Sequence, residues 1–505
     1  MRNASLFSLW DHLKFALQFK SRAIVMFSFK LNQLSPESWL QWLHATNIAF
    51  HALNGCLVYL LLNKLCTQKQ KAWFIPLWAT LIFICHPNQV IAVSYITQRF
   101  MIMMTFFYLS AIILYISIRQ NQAQSDAPQL KKQSSLSSFW LKYILLILCI
   151  FLGNMSKEAY ISLPLVLICL EFTFLNNTKT SWKKKLLILT PLILISFLPL
   201  ILRFFPQIST SAYSFTKEGL LDSTHHTIPG YLAMSVMILF KYITLFFLPS
   251  GSHFMHGDFL YYKTFFHIPV LIILFFHLCF FFYALTHYKK TPLFTFAVCF
   301  FYITISPEHS FLPLEWPMFE YRTYLSFMGF SILIPFTLFL IANKFKHKSL
   351  SSPKTIFSTV LIACILFLSL QSVAKNIVYK SNIEIWKQSV EQSPNQNVAY
   401  GQLGTAYLTN NNYRDALQAY TRALELKPYD TRYALAIGMC HISLQNLEKG
   451  MYWINKIKAL PHLSVNELLF IAHAHDTKGY HDKALHFLKM AQEKDASNQR
   501  KKRDK

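Results

Sequence analysis

The sequence predicts an all-α protein in two parts, a polytopic transmembrane domain of about ten spans plus one re-entrant helix, followed by an α-solenoid. Three observations carry that expectation. Of the 505 residues, 53% are hydrophobic and only 14% are charged, where a soluble domain carries about a quarter charged residues. The apolar residues gather in runs close to the roughly 20 that cross a hydrocarbon core as a helix. From Asn397 onward these runs give way to a period of about 34 residues.

The runs fall at 42–63, 74–96, 100–118, 139–154, 159–176, 186–205, 267–286, 292–306, 324–342 and 354–373. Basic residues concentrate in one alternating set of connectors: Lys64 to Lys71, Arg119 to Lys132, Lys179 to Lys185, Lys289 with Lys290, and Lys344 to Lys348. The other set, at 86–99, 154–158, 206–230 and 306–323, is poor in basic residues and holds most of the acids. Positive charge marks the cytoplasmic side, so the second set is expected to face outward. The alternation holds only if the run at 231–248, with Lys241 in its middle, does not cross; hence the expected re-entrant helix. The expected division is an outward loop at 1–41, a membrane domain at 42–375, repeats at 376–498 and a basic tail at 499–505.

The net charge of +25 does not imply nucleic acid, because the basic residues sit in connectors and repeats as membrane topology requires. The nine cysteines mostly lie inside apolar runs without CxxC spacing, so neither a disulfide framework nor a zinc site is expected. Residues 1–41 contain no clean apolar run of the kind a cleavable signal needs.

In the repeat region Leu403, Gly404, Tyr407, Ala416, Tyr420, Ala423 and Pro428 fit tetratricopeptide positions one by one. Small residues there let paired helices approach, so each is a packing residue. The second unit keeps Gly438, and the third returns Ala472, Ala484 and Ala491. Trp386 and Pro394 suggest a half-repeat joining the last span to the solenoid. Stacked helix pairs offer a concave surface for a protein or peptide.

Ionisable residues near membrane depth are costly and mark sites. Four outward clusters qualify: His86 with Gln98 and Arg99; Lys157 with Glu158; Glu320 with Arg322; and His253, His256 and Asp258. Arg99, Lys157 and Arg322 place three cations on the face where cations are scarce, which suits an anionic head group such as a lipid phosphate. The HxxHxD spacing of the fourth cluster is a weak metal pattern, and the need for a divalent cation stays open.

The stretches SRAIVMFSFKLN (21–32), HATNIAFHALNGCLVYLLL (44–62), HPNQVIAVSYITQRFMIMMTFFYLSAIILY (86–115), SKEAYISLPLVLICLEF (156–172), FEYRTYLSFMGF (319–330) and IEIWKQSVEQSPNQNVAYGQLG (383–404) together resemble one family. It is the multi-span GT-C type membrane glycosyltransferases with C-terminal tetratricopeptide repeats, which include transmembrane O-mannosyltransferases; Gln98-Arg99 looks like the bacterial branch. The resemblance implies a polyprenyl-phosphate sugar donor, a protein hydroxyl as acceptor presented by the repeats, and a bacterial inner membrane with the repeats in the periplasm. It also implies that His86, Gln98, Arg99, Lys157, Glu320 and Arg322 line the donor site. The family's acidic pair would lie upstream of Met1, since Asp11 and Glu37 fall outside the motif, which implies an N-terminally truncated chain, either because the start codon is placed too late or because the gene is a truncated remnant. That leaves Glu158 as the acidic candidate for general base. The competing expectations are a catalytically inactive, membrane-anchored repeat scaffold for envelope proteins, and a transporter or polymerase. A transporter should show repeated spans, and none is visible.

Overall fold

A computed structural model describes residues 22–34, 38–66, 74–125, 136–175, 185–197, 228–249, 264–309, 318–345, 353–428, 430–457, 465–477 and 479–503. The described residues form helices and turns without a strand, and they divide into two compact units that meet at Ile377 and Val378.

The first unit holds α1 (Ala23–Asn32), α2 (Trp39–Leu65), α3 (Ile75–Cys85), α4 (Pro87–Ser94), α5 (Arg99–Ser125), α6 (Leu136–Asn154), α7 (Leu163–Thr173), α8 (Lys185–Phe197), α9 (Ile228–Phe247), α10 (Ile268–Thr286), α11 (Pro292–Ile305), α12 (Phe327–Phe345) and α13 (Pro353–Val378). Helices α2, α3, α5 and α12 pack in sequence around one another, with α11 joining α12 to α7. α10 and α13 leave much of their length unburied, and what they expose is apolar, including Ile268, Phe275, Leu366 and Leu370. Such faces suit lipid contact.

Five described helices are long and apolar enough to cross a bilayer, or six if α3 and α4 are one broken span. The sequence predicts about ten; the run 186–205 lies partly outside the described residues, and several of the others break or form short helices. Pro87 lacks an N–H and its ring clashes with the preceding turn, so the run 74–96 bends by 58° between α3 and α4. The run 159–176 spends its start on the 3₁₀ turn Glu158–Ser162, which leaves 11 residues for α7. The run 292–306 gives a helix of only 14 residues. Conversely, the segment expected to re-enter, 231–248, falls almost wholly in α9, a 20-residue helix that is long and apolar enough to be a candidate span itself. The loop expected over 1–41 contains α1 in its described part.

The second unit stacks α14 (Asn382–Gln392), α15 (Asn397–Thr409), α16 (Tyr413–Leu426), α17 (Thr431–Ser443), α18 (Leu447–Ile457), α19 (Val465–Thr477) and α20 (His481–Arg503), each against its neighbour in the chain. α20 runs on through residues 499–503, where a separate tail was expected. Within each of the three α15–α16, α17–α18 and α19–α20 pairs the chain turns through one residue of positive φ: Asn411 (58°), Gln445 (64°) and Gly479 (77°). These positions repeat at the spacing of a tetratricopeptide unit, about 34 residues. A Cβ on Gly404 would lie 2.9 Å from the Tyr420 ring, so the paired helices approach as closely as the glycine allows. Gly450 takes the place of Ala416 in the second repeat, its own Cβ position lying 2.5 Å from Ile442. Two cores result, one around Ala416, Tyr420, Ala423 and Tyr433, the other around Met451, Ile454, Ile471 and Phe487.

Helix starts in this unit are capped in the expected way. Ser381 accepts from Glu384 N–H and Asn412 from Asp415 N–H. Asp430, at the start of α17, accepts from Arg432 N–H at 3.1 Å and from its guanidinium at 2.8 and 3.0 Å. Desolvation of Asp430 opposes ionisation, but Arg432 and Lys427 outweigh it and hold the carboxyl below its ordinary range.

Two predictions follow from this unit. Nothing lies within 4 Å of a Cβ built on Gly479, so Gly479→Ala tests backbone conformation alone and should cost about 1 kcal/mol. Hydrogen exchange should quicken across α19 and α20 and stay unchanged in α15; equal rates throughout would show that the turn is unstrained. A carboxyl depressed by folding contributes stability that is complete above its unfolded pKa and lost as pH falls through the folded one. Protection of α17 should therefore fall on acidification below about pH 4. Asp430→Ala should remove that pH dependence along with about 1 kcal/mol.

Candidate functional site

The connectors at 86–99, 154–162 and 306–323 converge in the first unit: the turn Glu158–Ser162 packs on Ser306–Glu308, and α4 packs on the turn Glu320–Thr323. Each connector is held tightly for a local reason. A Cβ on Gly153 would fall 2.0 Å from the Tyr160 ring, so the chain folds back closely after α6, and Lys157 follows in extended conformation. The Tyr242 hydroxyl of α9 donates to the Phe319 carbonyl at 2.9 Å, and Thr323 Oγ1 donates to the Glu320 carbonyl at 2.7 Å. These bonds fix the turn that carries Arg322.

At the point of convergence Glu308 bridges two of the predicted cations. One carboxylate oxygen is ion-paired with Lys157 Nζ, and the other lies 3.3 Å from Arg322 Nε. Lys157 lies 5.6 Å from the Tyr321 ring centre and Arg322 5.4 Å from that of Phe319, and the two rings stack on each other at 5.0 Å. The three charged side chains keep only 8–12% of their surface exposed. Burial opposes ionisation of Glu308, but Lys157 and Arg322 outweigh it and hold the carboxyl below its usual range. His309 is buried against the Tyr242 ring, and neither ring nitrogen has a hydrogen-bond partner among the described residues. Behind the bridge, buried Glu320 pairs with Lys375 of α13 at 2.5 Å.

The remaining predicted residues lie elsewhere. Arg99 is fully buried and spends its guanidinium on Asn47 Oδ1 (2.8 Å), Asn32 Oδ1 (2.6 Å), Ser28 Oγ (3.1 Å) and the Leu43 carbonyl (2.8 Å), with Phe29 beneath it. It pins α5 to α1 and α2, and all four of these contacts are to groups outside the Glu308 bridge. His86 caps α4 through Nδ1, which accepts from Asn88 N–H, while Nε2–H donates to the Phe246 carbonyl at 3.0 Å. Its ring lies flat on Phe246. Gln98 is half-buried in the 3₁₀ turn before α5. Glu158 stands at the rim, 3.6 Å from Arg22. His253, His256 and Asp258 lie outside the described residues. Among the described residues no group of three His, Cys, Asp or Glu side chains is placed to hold a metal.

Sequence reasoning passed over Glu308, His309 and Lys375. The one signal for Glu308 was its place in an acid-bearing connector immediately after a span; for Lys375 it was a charge close to the end of an apolar run. Also missed was a second carboxylate bridge, in which Glu171 of α7 accepts from Arg119 Nε (2.6 Å) and Tyr115 Oη (2.7 Å) and pairs with Lys185 at 3.2 Å.

Comparison with known proteins bears first on the repeats. Residues 398–430 match the tetratricopeptide repeat family. The chain contains a tetratricopeptide repeat. A curated protein named Protein O-mannosyl-transferase F38B6.6, from Caenorhabditis elegans, is 26% identical over 168 residues, or 33% of this chain. The match spans about a fifth of that relative, 21% of its length. The crystal structure of MamA is 24% identical over 23% of this chain and 69% of its own, with a TM-score of 0.22.

The geometry yields a test of Arg99. Lysine keeps the charge but cannot reproduce a fork that serves three side chains and a carbonyl. Arg99→Lys should destabilise the first unit by about 3 kcal/mol, read as earlier aggregation of the detergent-solubilised chain on heating. Normal heat stability combined with weakened binding of a lipid phosphate would instead return Arg99 to the donor site.

Proposed function

We propose that the chain is a membrane glycosyltransferase-like protein that moves a sugar from a polyprenyl-phosphate-linked donor to a protein hydroxyl on the extracytoplasmic side, with the repeat unit presenting the acceptor. The observation that carries this reading is the meeting of Lys157 and Arg322, from two separate connectors, beside a stacked pair of aromatic rings. A pair of buried donors with fixed geometry is what an anionic phosphate needs, and bidentate contact from Arg adds direction. The partial similarity to a protein named as an O-mannosyl-transferase points the same way. In this reading the cation-poor connectors face outward, the donor phosphate lies at Lys157 and Arg322, and Glu158 at the rim is the candidate base for the acceptor hydroxyl.

A membrane-anchored scaffold is the second reading. The repeat unit favours it, because stacked helix pairs offer a surface for extended peptides whether or not the first unit turns over a donor.

A transfer assay on the full chain in lipid vesicles, with a polyprenyl-phosphate sugar and a Ser/Thr-rich peptide, separates the two. Lys157→Ala and Arg322→Ala should each lower transfer about 100-fold, and Glu158→Gln should lower it without weakening donor binding. Absence of transfer by the unaltered chain, with peptide binding intact, would favour the scaffold.

A further inference from the structure

Glu308 gives the cation pair a property that two cations alone would not have. Lys157 and Arg322 are joined by one carboxylate, so the triad carries a single net positive charge. Among the described residues the neighbouring charges pair off: Glu320 with Lys375, and Glu158 with Arg22. Among the described residues the other titratable groups facing the triad, Tyr321, Tyr242, Tyr231 and His309, add no charge near neutral pH; burial and Arg322 bring His309 down to about 3. A buried ligand is best accommodated when it neutralises its site and worst when it leaves an uncompensated charge behind.

We propose that Glu308 makes this a site selective for a singly charged phosphodiester over a doubly charged phosphomonoester. The inference rests on the donor-site reading above and says what the site would accept. In such a transfer the sugar C1–O bond to phosphate breaks, the bonding pair stays on the phosphate oxygen, and the acceptor oxygen bonds C1 while its proton goes to a base. The phosphodiester donor enters with one negative charge. The lipid phosphate left behind carries between one and two at neutral pH, its second ionisation lying near pH 6 (about). Beside Glu308 the extra charge is unwelcome, so the triad binds the donor and favours release of the product.

The test uses the full chain in non-ionic detergent and two probes that differ by one charge, a short isoprenyl phosphate and its methyl diester. At pH 8 the unaltered protein should bind the diester roughly tenfold more tightly than the monoester. At pH 5, where the monoester is mostly monoanionic, that preference should disappear, a measurement that needs no variant. Glu308→Gln should reverse the preference at pH 8, and Glu308→Asp should keep its sign. If Lys157→Ala abolishes diester binding but the preference ignores both pH and Glu308→Gln, the selectivity inference falls and the donor-site reading stands. If neither probe binds the unaltered chain, both fall.

Discussion

Glu308 sits between Lys157 and Arg322 with little solvent in reach, and much of the first unit can be understood from the cost of that burial. An ionised side chain out of water is stable only with partners of fixed geometry. Two connectors widely separated in sequence must therefore meet, and each is held by a constraint of its own: Gly153 under Tyr160, and Tyr242 on the Phe319 carbonyl. The same rule places Glu320 on Lys375. Lys375 belongs to α13, the helix that leads into the repeats.

The second unit depends on a different constraint, since its helices are amphipathic and each must bury one face against the next. Close approach requires small residues at fixed offsets, and each hairpin requires one left-handed residue. Asparagine, glutamine and glycine fill that place at Asn411, Gln445 and Gly479. Only glycine does so without a Cβ penalty, so the geometry is kept while the residue changes. This is why the second repeat, degenerate by residue identity, still folds as the others do.

What was legible in the sequence divides along the same line. The repeat period, the small-residue positions and the half-repeat before Asn397 are local patterns and could be seen. Lys157 and Arg322 could also be found, because a cation on a cation-poor connector is conspicuous. Arg99 satisfied the same criterion, yet its partners Asn32, Asn47 and Ser28 are neutral and carry no charge signal. Charge alone could not tell a packing clamp from a binding group. Glu308 meets Lys157 across about 150 residues of the first unit, and no spacing rule links the two. Several expected spans are shorter or bent among the described residues because hydropathy registers apolar length and does not register where a proline or 3₁₀ turn interrupts it.

Helix α5 ties these features to one dimension. It carries a buried arginine near each end, Arg99 clamped by neutral side chains and Arg119 held by Glu171. Twenty residues of helix separate them, about 30 Å at 1.5 Å per residue, which is the thickness of a hydrocarbon core. Lys157 approaches Met101 within 3.4 Å, which puts the Glu308 bridge at the Arg99 end, while Lys185 joins Arg119 at the other. The two carboxylate bridges thus stand a bilayer's hydrocarbon thickness apart, with apolar helix between. Each bridge gathers two cations on one carboxylate, and among the described residues it is the Arg99 end that adds a stacked ring pair and a buried imidazole beside the bridge. That asymmetry is the physical reason for placing the candidate site on one face of the unit and assigning the other bridge to packing.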